Sequence, residues 1–241
     1  MLVFGHRGAS GYAPENTLPA FELGIKQGCN GFEFDVQLTL DGVAVVIHDW
    51  DVDRTTDGSG EVRALDYEEI LSLDAGSWFG PQFAGARVPR LEELFELIPE
   101  GMPLNLEMKT RPGDRPGLEE HVASLIQEYD KTGSVIVSSF NHGSLVELHR
   151  IAPEIKKGLL YEGVLVSPLA YGRRVVPDLL YSLHPCHDYV DSSTTESAHR
   201  EGVKVACWTV NEPDRALELK RMGVDIAITN YPDRLLAALE D

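Results

Sequence analysis

The sequence predicts an α/β fold, a closed (β/α)8 TIM barrel with a small inserted cap, on the strength of three observations. Eight short apolar runs alternate with stretches of helical periodicity, the pattern of a parallel sheet wrapped by helices. The 241 residues lie near the ~250 typical of eight such units. No GxGxxG follows a strand, and eight repeats exceed the usual count of an open doubly wound sheet, which is the runner-up architecture.

In chain order, strands are expected at Leu2–His6, Gly31–Leu38, Leu104–Lys109, Val135–Ser139, Ile155–Leu160, Asp188–Val190, Val203–Trp208 and Asp225–Thr229. The helices between them are expected at Thr17–Gly28, with Pro19 in the first turn, then Arg90–Ile98, Gly117–Asp130, Gly143–Ile151, Thr194–Gly202, Pro213–Gly223 and Asp233–Glu240. A helix around Pro168–Tyr181 contains Gly172 and Pro177 and should be short or broken. Arg111–Gly117 reads as a Pro/Gly loop. The alternation is interrupted once, at about 39–88, by a segment rich in Gly, Asp and Ser that holds Trp78 and Phe79. The expected organisation is one catalytic domain over 1–241 with that insertion as a cap. Trp78 and Phe79 either shield a site from water or form the small core of the cap.

The insertion begins with a hairpin. Asp41-Gly42 between alternating apolar runs signals a two-residue turn, which sets Leu40 opposite Val43, Asp35 opposite His48 and Trp50 opposite Glu33. Side chains alternate along a strand, so Glu33, Asp35 and His48 are expected on one side.

Composition narrows the partners. With 21 Lys and Arg against 39 Asp and Glu, a net charge of −18 repels nucleic acid and anionic membrane surfaces, leaving a small molecule as the expected partner. The chain enters an apolar strand at Leu2 without a basic or hydrophobic leader, and no run reaches membrane-spanning length, so a cytoplasmic location is expected. Cys29, Cys186 and Cys207 are odd in number and lack CxxC spacing, which reads as packing rather than disulfides.

Strands of a parallel barrel are buried on both faces and should be nearly continuous in aliphatic residues. Two are not: Glu33, Asp35 and Gln37 alternate with Phe32, Phe34, Val36 and Leu38, and Asn105, Glu107 and Lys109 with Leu104, Leu106 and Met108. The apolar faces must meet helices, so the polar faces point into the barrel, where carboxylates are costly unless paired or bound to metal. One reading is an internal Lys109–carboxylate network. The other is a metal site of Glu33, Asp35 and Glu107 at the C-terminal rim, where active sites of such barrels form. All-carboxylate ligation favours a hard divalent cation, Mg²⁺ ahead of Ca²⁺, over Zn²⁺. A divalent cation with Arg7 and Lys109 outweighs three carboxylates by one charge, enough to receive a phosphodiester anion despite the global acidity. His6 ends the first strand at the same rim, and Arg7 can fork onto phosphate oxygens. His6 and His48, flanking a phosphorus centre, would supply the base and the acid of an in-line hydrolysis.

His6-Arg7-Gly8, Pro14-Glu15-Asn16-Thr17, Glu33-Phe34-Asp35-Val36, His48-Asp49, Leu106-Glu107-Met108-Lys109, Ser138-Ser139-Phe140, Trp208-Thr209-Val210-Asn211 and Thr229-Asn230-Tyr231-Pro232-Asp233 occur in that order. Together they resemble the motif series of glycerophosphodiester phosphodiesterases. The resemblance implies a barrel with an insertion after the second strand, a divalent metal, and release of sn-glycerol 3-phosphate and an alcohol from deacylated phospholipids. It implies metal ligation by Glu33, Asp35 and Glu107, acid/base chemistry at His6 and His48, and phosphate contacts from Arg7 and Lys109.

Lesser candidates follow. Glu15 either orients Arg7 or belongs to a helix-capping loop, Trp208 walls the substrate pocket or packs in the core, and Glu162 follows the fifth strand within reach of the metal's surroundings. Rival functions are a barrel phosphodiesterase acting on lysophospholipids, which needs an apolar docking surface, and a catalytically silent ligand-binding module, which predicts loss of a His or carboxylate that is in fact present.

Overall fold

The computed structural model describes residues 1–111, 114, 117–177 and 179–240. Eight parallel strands close into a barrel: β1 (Leu2–His6), β2 (Gly31–Leu38), β4 (Leu104–Met108), β5 (Val135–Ser139), β6 (Lys156–Tyr161), β7 (Leu180–Pro185), β8 (Lys204–Cys207) and β9 (Ile226–Thr229). Closure is completed by β1, which pairs with both β2 and β9. Outside lie α1 (Leu18–Gln27), α3 (Leu91–Leu97), α4 (Leu118–Glu128), α5 (His142–Ile151), α6 (Pro168–Val175), α7 (Ser192–Arg200), α8 (Pro213–Arg221) and α9 (Pro232–Glu240), while the insertion holds β3 (Ala44–Val46) and α2 (Tyr67–Ser72). Of the Pro/Gly loop expected at Arg111–Gly117, positions 112, 113, 115 and 116 lie outside the described residues.

Two apolar layers hold the barrel. Phe21, Phe32, Phe34 and Leu104 belong to the large outer core between strands and helices. Inside, Phe4, Ile136, Ala206, Ile226 and Ile228 form a plug. Two residues along β1 from Phe4, on the same face, stands His6, so the plug underlies the polar rim.

The sixth barrel strand is the main correction to the secondary structure. It runs from Leu180 to Pro185, and the Asp188–Val190 segment expected to form it is instead a 3₁₀ turn over His187–Tyr189 followed by a loop residue. Ser182 and His184 face inward and are fully buried, and Ser182 Oγ lies 2.7 Å from His184 Nε2, while His184 Nδ1 has no partner. Gly158 on β6 makes the room, since a Cβ there would lie 2.5 Å from His184 Nε2. A strand whose inward residues are Ser and His, ending in Pro, lacks the aliphatic signature. The helix before it stops at Val175, ahead of Pro177, as expected.

The hairpin is also corrected. Its register is Val36↔Val46, Gln37↔Val45 and Leu38↔Ala44, one residue away from the expected pairing. A two-residue type I′ turn needs positive φ at both central residues, and only Gly42, at φ 86°, has it. Thr39 N donates to Val43 O at 3.0 Å, so the loop is the three residues Leu40-Asp41-Gly42. Packing explains the choice. Val36, Ala44 and Val46 join the outer barrel core, while Val45 and Ile47 join Val52, Val62, Ile70, Ala75 and Val88 in the cap's own core. A one-residue slip would exchange those faces. Ile47, not His48, therefore lies across from Asp35, and Ile47 N donates to Asp35 O at 3.1 Å. Trp50 is not opposite Glu33 either; it lies under Lys109 and Arg111. Trp78, Phe79 and Phe83 stack edge to face on the cap, with Trp78 exposed, and they are neither in the cap's apolar core nor among the residues lining the rim cavity described below.

Candidate active site

Strand register builds the site in two tiers. His6 on β1, Glu33 on β2 and Asn105 on β4 are direct neighbours, and Asp35 and Glu107 are neighbours one tier higher. Carboxylate oxygens of Glu33, Asp35 and Glu107 lie within 4.8 Å of one another, all three residues being buried. With His6, Arg7, His48, Asn105, Phe140, Leu160, Trp208, Thr209 and Ile228, Glu33 and Glu107 line a cavity of about 80 Å³.

The cations beside the carboxylates are fewer than the charges they face. Arg7 Nε is 3.2 Å from Asp35 Oδ2, and Lys109 Nζ is 3.0 Å from Glu107 Oε1 and 3.8 Å from Asp35 Oδ1. Asn16 Nδ2 also donates to Asp35 Oδ2, at 3.0 Å. Burial opposes ionisation of Asp35, but Arg7, His48 and Lys109 outweigh it and hold its carboxyl below the ordinary value. Glu33 is pushed well above its ordinary value by burial and by the Asp35 charge. Glu107 is raised to about 7, again by burial first and Asp35 second. Glu33 Oε2, Asp35 Oδ1 and Asn105 Oδ1 are buried without a hydrogen-bond partner. Orphaned oxygens and an excess of buried anion are what a hard divalent cation would relieve, so the donor set fits one.

The two imidazoles are held differently. His6 Nδ1 donates to Asn230 Oδ1 at 2.6 Å, which leaves Nε2 on the cavity side, 3.7 Å from Glu33 Oε2. Burial, helped by the Arg7 charge, lowers its pKa to about 4, so His6 is neutral. His48 Nδ1 donates to Asp49 Oδ1 at 2.6 Å. Strand pairing ends at Val46, and His48 reaches the cavity from the loop beyond it rather than from a ladder position.

The main chain that carries His48 is pinned by Gln37, whose buried Nε2 lies 3.0, 3.2 and 2.6 Å from the carbonyl oxygens of Ile47, His48 and Asp49. Gln37→Met should therefore leave those carbonyls unsatisfied, costing about 1–3 kcal/mol of stability. Turnover should fall by about 10-fold through misplacement of His48. Urea unfolding with parallel steady-state kinetics checks this, and wild-type kcat in a folded variant would remove Gln37 from the site.

The other sequence candidates separate. Trp208 lines the cavity, anchored by Nε1–H to His184 O at 2.9 Å and packed edge to face on Phe140. Glu15 does not line it but accepts from Arg7 Nη1 at 2.8 Å, the orienting arrangement. Lys109 stands behind the carboxylates, over the Trp50 ring, rather than among the lining residues. Glu162 is exposed and outside the lining. Arg54, Asn105, Asn230 and Gln37 were given no role from sequence. The polar alternation of β2 and β4 was a signal for Gln37 and Asn105; nothing local marks Arg54.

Residues 6–234 match the family model described as the glycerophosphoryl diester phosphodiesterase family. A glycerophosphodiester phosphodiesterase of Caldanaerobacter subterraneus subsp. tengcongensis is 44% identical over 236 residues, covering 98% of this chain and 96% of its own. One from Bacillus altitudinis is 34% identical over 241 residues, covering 99% and 98%. Among solved structures, an Oleispira antarctica phosphodiesterase in complex with the product sn-glycerol-3-phosphate superposes with a TM-score of 0.88 at 34% identity, covering 100% of this chain and 97% of that one.

Proposed function

The chain belongs to the glycerophosphoryl diester phosphodiesterase family, and from that premise we propose that it hydrolyses glycerophosphodiesters to sn-glycerol 3-phosphate and an alcohol at the rim built by β1, β2 and β4. Three buried carboxylates, two of them with an orphaned oxygen, flanked by Arg7 and two imidazoles that line one cavity, are the observation that carries the reading. Glu33, Asp35 and Glu107 would hold the divalent cation, a hard one on donor type, with Mg²⁺ ahead of Ca²⁺ because three protein ligands leave positions for water and substrate oxygens. When bound, it would neutralise phosphoryl charge as a Lewis acid. Arg7, fixed by Asp35 and Glu15, faces the phosphate, with Lys109 balancing the carboxylates behind. His6 and His48 each donate Nδ1–H to an oxygen of the protein and so keep Nε2 free for proton transfer. One takes the proton of the nucleophile and the other protonates the leaving alkoxide. The nucleophile is water or the adjacent glycerol hydroxyl, the latter through a cyclic phosphate, and trapping a cyclic glycerol phosphate distinguishes the second route.

We take 1–241, with the insertion at 39–88, as one catalytic domain working in the cytoplasm. None of the helices among the described residues is long and apolar enough to cross a membrane. A panel of glycerophosphodiesters assayed with Mg²⁺, Ca²⁺ and chelator tests the reading. Turnover is expected only with a divalent cation, and chelator-resistant turnover would sink the metal assignment. One observation favours a second substrate class. Val164 and Val166, after β6, and Phe140, after β5, are exposed apolar residues at the catalytic end of the barrel. Faster turnover of lysophosphatidylcholine than of glycerophosphocholine would move the assignment to lysophospholipids.

A further inference from the structure

Among the charged side chains that the cap brings to the neighbourhood of the site is Arg54. Its guanidinium contacts two carboxylates from different parts of the fold. Nη1 and Nη2 donate to Glu15 Oε2 and Oε1 at 2.8 and 2.7 Å, and Nε and Nη2 donate to Asp49 Oδ2 and Oδ1 at 2.5 and 3.1 Å. Each carboxylate is also engaged elsewhere. Glu15 Oε1 accepts from Arg7, and Asp49 Oδ1 accepts from His48. The result is an alternating chain, Asp35, Arg7, Glu15, Arg54, Asp49, His48, running from a metal carboxylate to an acid/base imidazole. Arg54 itself is not among the residues lining the cavity.

We propose that Arg54 is a positioning residue: it braces His48 and Arg7 against one another through Asp49 and Glu15, so that the cap fixes the distance between the proton-transfer group and the phosphate grip. The inference rests on His48 acting as an acid/base group. Arg54 suits the task because a planar guanidinium holds two carboxylates at once in fixed directions, which an ammonium does not. Its turn is firm, with Thr56 Oγ1 and Thr56 N both donating to Val52 O and with Val52 buried in the cap core. Without the guanidinium, Glu15 and Asp49 are two anions with no cation between them, and each is free to rotate away from the group it orients. The pull of Arg54 is visible on Asp49, whose carboxyl is drawn down to about 2, chiefly by that hydrogen bond. Arg7 has a second carboxylate partner in Asp35, 3.2 Å from Nε, whereas Asp49 is the side chain that orients His48, so the larger loss is expected in turnover rather than in phosphate binding.

The test is steady-state kinetics with glycerophosphocholine on Arg54→Met, Arg54→Lys, Asp49→Asn, His48→Ala and the Arg54→Met/Asp49→Asn pair, with a melting curve for each. Arg54→Met is expected to lower kcat about 10- to 100-fold, as loss of an orienting partner does, while KM moves by less than about 3-fold. Arg54→Lys, which keeps the charge but not the fork, should recover only a minor part, and it carries the same comparison if Arg54→Met does not fold. Methylguanidinium added to Arg54→Ala should restore part of the turnover, which a merely structural role does not predict. In the Asp49→Asn background, Arg54→Met should cost little more, because the path to His48 is already cut. A folded Arg54→Met or Arg54→Lys with wild-type kcat, or penalties for Arg54→Met and Asp49→Asn that simply multiply, overturns the proposal. Near-normal turnover by His48→Ala would instead overturn the acid/base reading beneath it.

Discussion

Glu33→Gln is expected to melt at a higher temperature than the wild type in chelator, yet to lose turnover on the order of 10³-fold, the loss of several kcal/mol of charge stabilisation. The stability gain follows from the metal-free site. Glu33 is buried beside Asp35, with one oxygen unpartnered, and both burial and that charge disfavour its ionised form. A carboxyl whose folded pKa is raised above its unfolded value costs stability that is absent below the unfolded value, near 4.3, and grows as pH rises toward the folded one. Glutamine removes this cost while keeping the shape, so the melting advantage should be absent at pH 4 and widen toward neutrality. Each kcal/mol gained corresponds to about 2–4 °C in a chain of this size. The same substitution should abolish most of the rise in melting temperature that Mg²⁺ gives the wild type, because binding to the native state is what supplies that rise. Calorimetry across pH, with and without Mg²⁺, checks both halves. A variant that melts below the wild type in chelator, or that responds to Mg²⁺ undiminished, would remove Glu33 from the ligand set.

His6→Ala and His48→Ala are each expected to lower kcat by about 10²- to 10⁴-fold, the range of lost general acid or base catalysis. Their response to the leaving group should differ. An alcohol of low pKa departs without being protonated, so the variant lacking the acid should regain turnover on an aryl phosphodiester, whereas the variant lacking the base should not. The paired variant should cost little more than the worse single one if the two imidazoles act in one step. Geometry gives the two sites different surroundings. His6 is backed by a neutral amide and kept uncharged by burial, while His48 is backed by the Asp49 carboxylate. Equal recovery of both variants on the aryl substrate would defeat the division into acid and base.

Much of the site was legible because strands impose a period of two. Glu33 and Asp35 on β2, and Glu107 on β4, stood out as polar residues alternating with apolar ones on strands that should have been continuous in aliphatics. His6 was legible for the complementary reason, a polar residue ending an apolar run. The hairpin was misread by one residue, because Asp-Gly suits both a two-residue turn and the last positions of a three-residue loop. The expected support for His48, a position across from Asp35, is therefore gone. The residue reaches the cavity by another route, beyond the end of pairing, with Gln37 holding its main chain. The strand at Leu180–Pro185 was missed because its inward face carries Ser182 and His184, a pair that is apolar in neither member and whose members bond to each other.

Local composition and alternation determined the barrel, the place of the insertion and which side chains of β2 and β4 turn inward, since backbone periodicity assigns a face without reference to the rest of the chain. Only the tertiary structure decided the hairpin register, the inward packing of His184 against Gly158 and the bracing of His48 and Arg7 by Arg54. Those outcomes depend on groups distant in sequence: the cap core takes Val45 and Ile47 and so selects one register over its neighbour, and a guanidinium from the cap meets Glu15 across 39 positions of chain.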